Sequence, residues 1–238
     1  MKKIQNKFIC FFLICSLQNS LQSHAQQKYF SAQQPSKSTS STTWVTAYYS
    51  NWSLYNYPPQ KINFSTSGLT HVIAFSYNPV PSTSPYFSGV IPGNSDSVIW
   101  NQYGTEDSLI KIAHRNKVKV LMCLGGIYGQ GAADMAAIAA DSVKTQVYAK
   151  AALAYAKRRG YDGVDLDWEQ YIVKADYSRF LRIFRRILDT WTPHGTFTTA
   201  AGYTPGSSFD VIQMATNLDQ VNIMTYDYNQ GNKTYFNS

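Results

Sequence analysis

The chain has 238 residues, 44% of them hydrophobic and 15% charged, which suffices for one domain with a sizeable core but is short for two. Extended disorder and a membrane-spanning bundle are excluded by that balance. The formal net charge is +7, but Lys2, Lys3 and Lys7 lie at the extreme N-terminus, and the surplus left without them is too mild to argue for a nucleic-acid partner.

Residues 1–25 read as a signal peptide: Lys2 and Lys3 precede an apolar run from Phe8 to Leu17, and Ser23-His24-Ala25 forms a small-x-small cleavage site. The run is about ten residues where a membrane span needs roughly 20. The mature protein is therefore expected to be secreted, extracellular or in the cell envelope, with no membrane association after cleavage. Cys10 and Cys15 would leave with the leader, so Cys123 has no partner for an intramolecular disulfide and the fold must rest on its core. Residues 26–43 are rich in Gln, Ser and Thr and read as a linker. The folded domain spans 44–238.

Within it, short β-rich apolar runs fall at 44–50, 70–77, 118–124, 161–169, 196–203 and 219–227. Helical periodicity lies between most of them, at 107–116, 142–159 and 174–191. The last of these places Tyr177, Phe180, Leu181, Phe184, Ile187, Leu188 and Trp191 on one stripe, with Arg179, Arg182, Arg185 and Arg186 mostly on a solvated face. Asp141 or Ser142 caps the 142–159 helix and Gly160 stops it. Alternating strands and helices imply an α/β fold with parallel strands and right-handed crossovers. No Gly-rich phosphate turn follows the first strand, which favours a (β/α)8 TIM-type barrel over an open doubly wound sheet. Only about six βα units are present, against a barrel of roughly 250 residues, so the chain is expected to lack the last two.

Chemistry concentrates in Asp162-Gly163-Val164-Asp165-Leu166-Asp167-Trp168-Glu169. On a strand, Asp165, Asp167 and Glu169 share one face at about 6.5–7 Å intervals. Three partly desolvated carboxyls in that row cannot all ionise at neutral pH, so a proton is expected among them, with the last carboxyl raised into the range of a general acid. Val164, Leu166 and Trp168 would face outward, Trp168 as core packing. A solvated acidic edge would not carry that apolar face, and a calcium loop of the EF-hand type needs its Gly at a different position. His71, His114 and His194 have no mutual spacing that suits a metal and read as structural. Cys123 reads as a small buried thiol rather than a nucleophile.

The octapeptide resembles the DGxDxDxE signature of glycoside hydrolase family 18, the chitinase family. Met224-Thr225-Tyr226-Asp227 is similar to that family's MxYD motif, and Cys123-Leu124-Gly125-Gly126 to its SxGG motif with Cys in place of Ser. Tyr48 and Phe75 resemble its aromatic lining below the scissile sugar, a substrate-binding set that also includes Met224. The resemblance implies hydrolysis of β-1,4-linked N-acetylglucosamine polymers, most simply chitin, by a retaining mechanism in which the substrate's own acetamido oxygen is the nucleophile. It implies that Glu169 protonates the glycosidic oxygen and then activates water, and that Asp167 orients the acetamido N–H and stabilises the oxazolinium ion. Asp165 would hold Asp167, Tyr226 would hydrogen-bond the acetamido oxygen, and Asp227 would contact the sugar and influence the proton of Glu169. Neither a metal nor an organic cofactor is implied. The family's hydrophobic floor under the sugar, a Trp from the eighth strand, has no counterpart here. Trp52, Tyr55, Tyr57, Trp100, Tyr103 and Tyr128 are candidates for a substrate groove, with core or loop packing the alternative for each. Two further readings remain open: an endo-β-N-acetylglucosaminidase acting on glycans or peptidoglycan, and a non-catalytic chitin- or sugar-binding remnant. The retained Glu169 argues against the second.

Overall fold

A computed structural model describes residues 14–15, 43–126, 130–202 and 208–224. Its sheet has the strand order β1 to β7 in sequence order. β1 (Ile14–Cys15) is a two-residue strand, drawn from the segment read above as a leader, that pairs antiparallel with β2 (Val45–Ser50). From β2 onward every pairing is parallel, through β3 (His71–Tyr77), β4 (Lys119–Gly125), β5 (Gly163–Asp167), β6 (Thr196–Gly202) and β7 (Gln220–Met224). These six parallel strands coincide with the six expected runs and form a half-barrel.

The helices α1 (Ser95–Asn101), α2 (Thr105–Arg115), α3 (Gln130–Ala139), α4 (Ser142–Arg159), α5 (Lys174–Leu188) and α6 (Val211–Asn217) lie between successive strands. Two of the three expected helices keep their starts at 142 and 174, and the third begins at Thr105. α4 opens on Asp141, whose side chain accepts from Val143 N and Lys144 N, and closes on Gly160 at φ 93. α5 stops at Leu188, earlier than its apolar stripe, because Pro193 ends the segment and Trp191 packs from the following turn instead.

Period-2 alternation divides the sheet into two faces. Val72, Ala74, Val120, Met122, Leu124, Val164, Leu166 and Phe197 point outward and pack with Leu109, Ile110, Leu153, Phe180 and Phe184 of the helices in one continuous core. Ile73, Leu121 and Cys123 point inward, with Tyr48 and Phe75 packed against them. The inner face turns polar where β5, β6 and β7 contribute.

The arginine face of α5 is less solvated than its periodicity implies. Arg179 bonds Asp176 at 2.7 Å and the carbonyl of Ala139. Arg185 pairs with Asp189 at 2.7 Å and Asp219 at 3.0 Å and donates to the carbonyl of Gly195.

A recurring device fixes strand register at the N-terminal ends of the strands. The residue just before a strand accepts a hydrogen bond from the first or second backbone N–H of the preceding neighbour. Thr70 Oγ1 takes Val45 N, Asp162 Oδ2 takes Val120 N and Asp219 Oδ2 takes Phe197 N, each at 2.8 Å. Outside the sheet, the fully buried carboxylate of Glu106 is neutralised by Arg159 at 2.5 Å and accepts from the hydroxyls of Tyr77 and Tyr155, both at 2.9 Å.

Candidate active site

The signature octapeptide folds as β5 and the turn after it, and its residues divide as the alternation dictates. Gly163 has no room for a side chain, because a Cβ there would lie 1.9 Å from the carbonyl oxygen of Thr196. Val164 and Leu166 are fully buried on the outer face. Trp168 joins them, packing against Tyr177 and Phe180, as expected of a core residue. Its indole also donates to the carbonyl of Gln170 at 2.7 Å, which fixes the turn beyond the strand.

On the inner face Asp165 is 0% and Asp167 5% exposed, and Glu169 follows half-buried past the strand end. Asp165 sits in a cage of donors. Thr198 Oγ1 reaches its Oδ1 at 2.5 Å, Tyr48 OH reaches its Oδ2 at 3.2 Å, and the Cys123 thiol adds a third bond. Burial nevertheless pushes its pKa up to about 6, with the three donors pulling the other way. Asp167 has fewer donors. Burial, then the neighbouring charge of Glu169, then that of Asp165 raise it to about 8, and a hydrogen bond with Glu169 adds to the rise. Asp167 is thus raised further than Asp165, because the middle position combines deep burial with a carboxyl on either side, and a hydrogen bond links it to Glu169, the carboxyl expected to be raised. Asp167 Oδ1 is buried with no hydrogen-bond partner among the described residues.

The Gly pair at the end of β4, Gly125 within the strand and Gly126 just past it, brings the remaining wall close. Gly125 lies at φ 101, and a Cβ there would stand 2.1 Å from the carbonyl oxygen of Asp167; at Gly126, φ 84, a Cβ would enter the Phe75 ring at 2.3 Å. Gly126 N instead donates to the Asp167 carbonyl at 2.8 Å. Phe75 therefore lies over the Gly pair, with Tyr48 edge-on at 6.1 Å and Trp52 edge-on at 5.6 Å between ring centres. Tyr48 receives a bond from Asn222 Nδ2 at 3.2 Å. Its phenol is pushed well above the ordinary range by burial and by Asp165, so it remains a donor. The Cys123 thiol is likewise pushed up by burial, which keeps it out of the thiolate form a nucleophile needs.

Asp165, Asp167, Glu169, Tyr48 and Phe75 are thus gathered at the C-terminal mouth of the strands, and Met224 ends β7, two positions after Asn222. Tyr226, Asp227 and Tyr128 lie outside the described residues. Trp100 is fully buried and donates to the carbonyl of Ser76 at 3.2 Å, so it belongs to the core and not to a groove. Trp52, Tyr55, Tyr57 and Tyr103 are exposed. Thr198 and Asn222 were not anticipated as site residues. Alternation along 196–203 and 219–227 was the signal that could have placed them on the inner face. The histidines among the described residues stand apart from the site: His114 pairs with Asp162 at 2.8 Å, His194 approaches Asp189 at 3.6 Å, and His71 stacks on Trp44 at 4.1 Å. Among the described residues no group of His, Cys, Asp and Glu is arranged to hold a metal ion.

The family model "Glycosyl hydrolases family 18" matches residues 44–238. The chain belongs to this family. Among curated family members, Chitinase 1 of Aphanocladium album is 27% identical over 204 residues, covering 76% of this chain and 47% of the relative. Probable chitinase 2 of Drosophila melanogaster is 26% identical over 197 residues, covering 77% and 40%. The chain spans less than half the length of these two relatives. Among solved structures, a GH18 chitinase mutant from Cycas revoluta in complex with (GlcNAc)4 aligns with TM-score 0.65 at 23% identity, covering 77% of this chain and 55% of that one. A chitinase-like agglutinin from Robinia pseudoacacia aligns with TM-score 0.64 at 24% identity, covering 76% and 55%. A likeness at this identity speaks for the barrel fold, and it includes a protein named for binding as well as one named for catalysis.

Proposed function

We propose that the protein is a secreted glycoside hydrolase that cleaves β-1,4-linked N-acetylglucosamine polymers with the substrate's acetamido group as internal nucleophile. The observation that carries this reading is the row in which Asp167 stands between the caged Asp165 and Glu169, with one buried oxygen lacking a partner among the described residues. An acetamido N–H is a donor of the kind that oxygen lacks. Accepting it would turn the acetamido carbonyl oxygen toward the anomeric carbon. Glu169, less buried and nearer the mouth, protonates the departing glycosidic oxygen as that bond breaks. The acetamido oxygen closes on the anomeric carbon, and the positive charge of the oxazolinium ion that forms is met by Asp167, which is left ionised once the proton it shares with Glu169 has passed through Glu169 to the leaving oxygen, and is backed by Asp165. Glu169, now ionised, takes a proton from the water that reopens the ring, which restores the configuration. Tyr226 and Asp227 complete the set by their resemblance to the family motif. The chitinases of Aphanocladium album and Drosophila melanogaster that the chain resembles support the same substrate class.

The reading is tested with the full-length protein on N-acetylglucosamine tetramer and pentamer. Glu169→Gln is expected to lower kcat by 10²-fold or more in a protein that still unfolds cooperatively, because the proton donor is lost while the fold is kept. Wild-type protein that binds the oligomers without cleaving them would replace the enzyme by a binding protein.

A further inference from the structure

The strand ladder gives the two aspartates of β5 opposite neighbours. Asp165 pairs with Cys123 of β4 and Thr198 of β6, whereas Asp167 pairs with Gly125 of β4 and Ala200 of β6. Residues paired in this way project from the same face of the sheet, about 5 Å apart. Asp165 is therefore flanked by two side-chain donors, and Asp167 by a hydrogen atom on one side and a methyl group on the other. The bonds follow the pairing. Thr198 Oγ1 donates to Asp165 Oδ1 at 2.5 Å, against 3.2 Å from Tyr48 OH to Oδ2, and the thiol of Cys123 is by nature a weak donor. Thr198 is thus the principal donor to Asp165, and both groups are buried. The next residue, Thr199, faces the other way and bonds the carbonyl of Leu166 at 2.6 Å. A β-branched valine would suit the strand at position 198 equally well, so what Thr198 adds is its hydroxyl.

We infer that Thr198 is a positioning residue for hydrolysis: its hydroxyl keeps Asp165 charged and turned toward β6, which leaves the proton of the row to the Asp167–Glu169 pair. The inference rests on the proposed hydrolase function and adds to it the group that divides the carboxyls between two roles. Both oxygens of Asp165 are drawn across the sheet, one toward β6 and the other toward Tyr48 of β2. The hydrogen bond of Asp167 runs instead to Glu169, while Asp165 acts on Asp167 through its charge. In the proposed reaction the ionised Asp165 backs the positive charge that develops, and the pair beyond it supplies the proton for the leaving oxygen. The titratable groups that face Asp165 are Tyr48 from β2, Cys123 from β4, and Asp167 with Glu169 beyond it on β5; Tyr177 of α5 lies behind the sheet. Burial holds the Tyr48 phenol and the Cys123 thiol in their protonated forms. Asp165, raised by burial to about 6, is thus the group whose ionisation opens the active range from the acid side.

The test is the pH profile of kcat/KM for the full-length protein on N-acetylglucosamine pentamer, from about pH 4 to 9. Thr198→Val keeps the shape of the side chain and removes the hydroxyl. A hydrogen bond to a charged acceptor favours the charged form, so its loss is expected to move the acid limb upward by about one pH unit or more and the alkaline limb little. Thr198→Ser, which keeps the hydroxyl, is expected to return the acid limb to its wild-type position. Thr198→Cys, a weaker donor, is expected to leave it between the two. The Ser and Cys variants decide the matter should the Val form fail to fold. An acid limb that stays in place in the Val and Cys variants, or a loss of kcat/KM equal at every pH, would overturn the positioning role and leave the hydrolase reading intact. So would an acid limb displaced as far by Ser as by Val, because packing rather than the hydroxyl would then be responsible. Wild-type protein that cleaves the pentamer at no pH would overturn both.

Discussion

The two aspartates of β5 differ in what surrounds them, and the difference has a measurable pH signature. Asp165 is raised only to about 6 because Thr198, Tyr48 and Cys123 feed hydrogen bonds to its charge; Asp167 is raised to about 8 because burial and two neighbouring carboxyls act without comparable relief. Both values lie above the unfolded carboxyl value of about 3.9. The stability these groups contribute is therefore fully present below about pH 4 and is lost as pH rises through 6 and then 8. His71 acts in the opposite sense. Burial, aided by Lys119 and opposed by Asp162 and Asp219, lowers it to about 4, so its contribution is present above about 6.5 and is lost as pH falls through 4. Asp167→Asn makes the middle position permanently neutral. Relative to wild type, its unfolding midpoint is expected to gain progressively between about pH 4 and 8 and to level off above 8, with the smallest difference at pH 4 and below, as read by thermal melts across that range. Parallel curves would show that Asp167 ionises in the folded state as it does in the unfolded one.

At the scale of elements, the first acid of the signature turns out to work at the opposite end of the strand from the others. Asp162 precedes β5 and holds Val120 N of β4, just as Asp219 precedes β7 and holds Phe197 N of β6. Both N–H groups belong to fully buried residues. Asp162→Ala and Asp219→Ala are each expected to cost about 1–3 kcal/mol in denaturant unfolding, the penalty of a buried donor left unpaired, although the carboxylates themselves are partly exposed. Losses under about 0.5 kcal/mol would mean that strand pairing alone fixes the register. Asp162 shows how sequence reasoning reaches a motif position without reaching its role. The 2-residue period identified the inner face of 161–169 and the outward Trp168, because alternation is a property of the strand itself. That Asp162 lies before the strand and bonds the neighbouring one depends on register between segments 42 residues apart, which no local pattern carries. The same limit applies to helices. α4 and α5 were legible from caps and apolar stripes, whereas α1 and α6, seven residues each, are too short to display a period, and the Ala-rich α3 offers little contrast between its faces. Thr198 and Asn222 were on the readable face but lack the charge that draws attention to a row of carboxyls.

Across the whole molecule, β2 and β7 bound the parallel part of the sheet and are not paired with each other through their backbones. They meet through side chains that cross the interior. Gln220 Nε2 approaches Thr46 Oγ1 at 3.4 Å and also bonds Asn222 Oδ1, and Asn222 Nδ2 reaches Tyr48 OH at 3.2 Å, which in turn bonds Asp165. Residues 174 positions apart are thereby joined to the carboxyl row, so the geometry at Asp165 depends on both ends of the described domain. Such a network should behave as a unit, because removing one partner strands the other in a buried place. Tyr48→Phe deletes the shared hydroxyl, and Asn222→Ala deletes its donor. In a double-mutant cycle on unfolding free energy the two changes are expected to be less than additive, with a coupling of about 1 kcal/mol. Once the hydroxyl is gone, Asn222 no longer has that bond to lose. Additivity within about 0.3 kcal/mol would mean that β2 and β7 reach their places independently, and that the inner network records the closing of the sheet without helping to cause it.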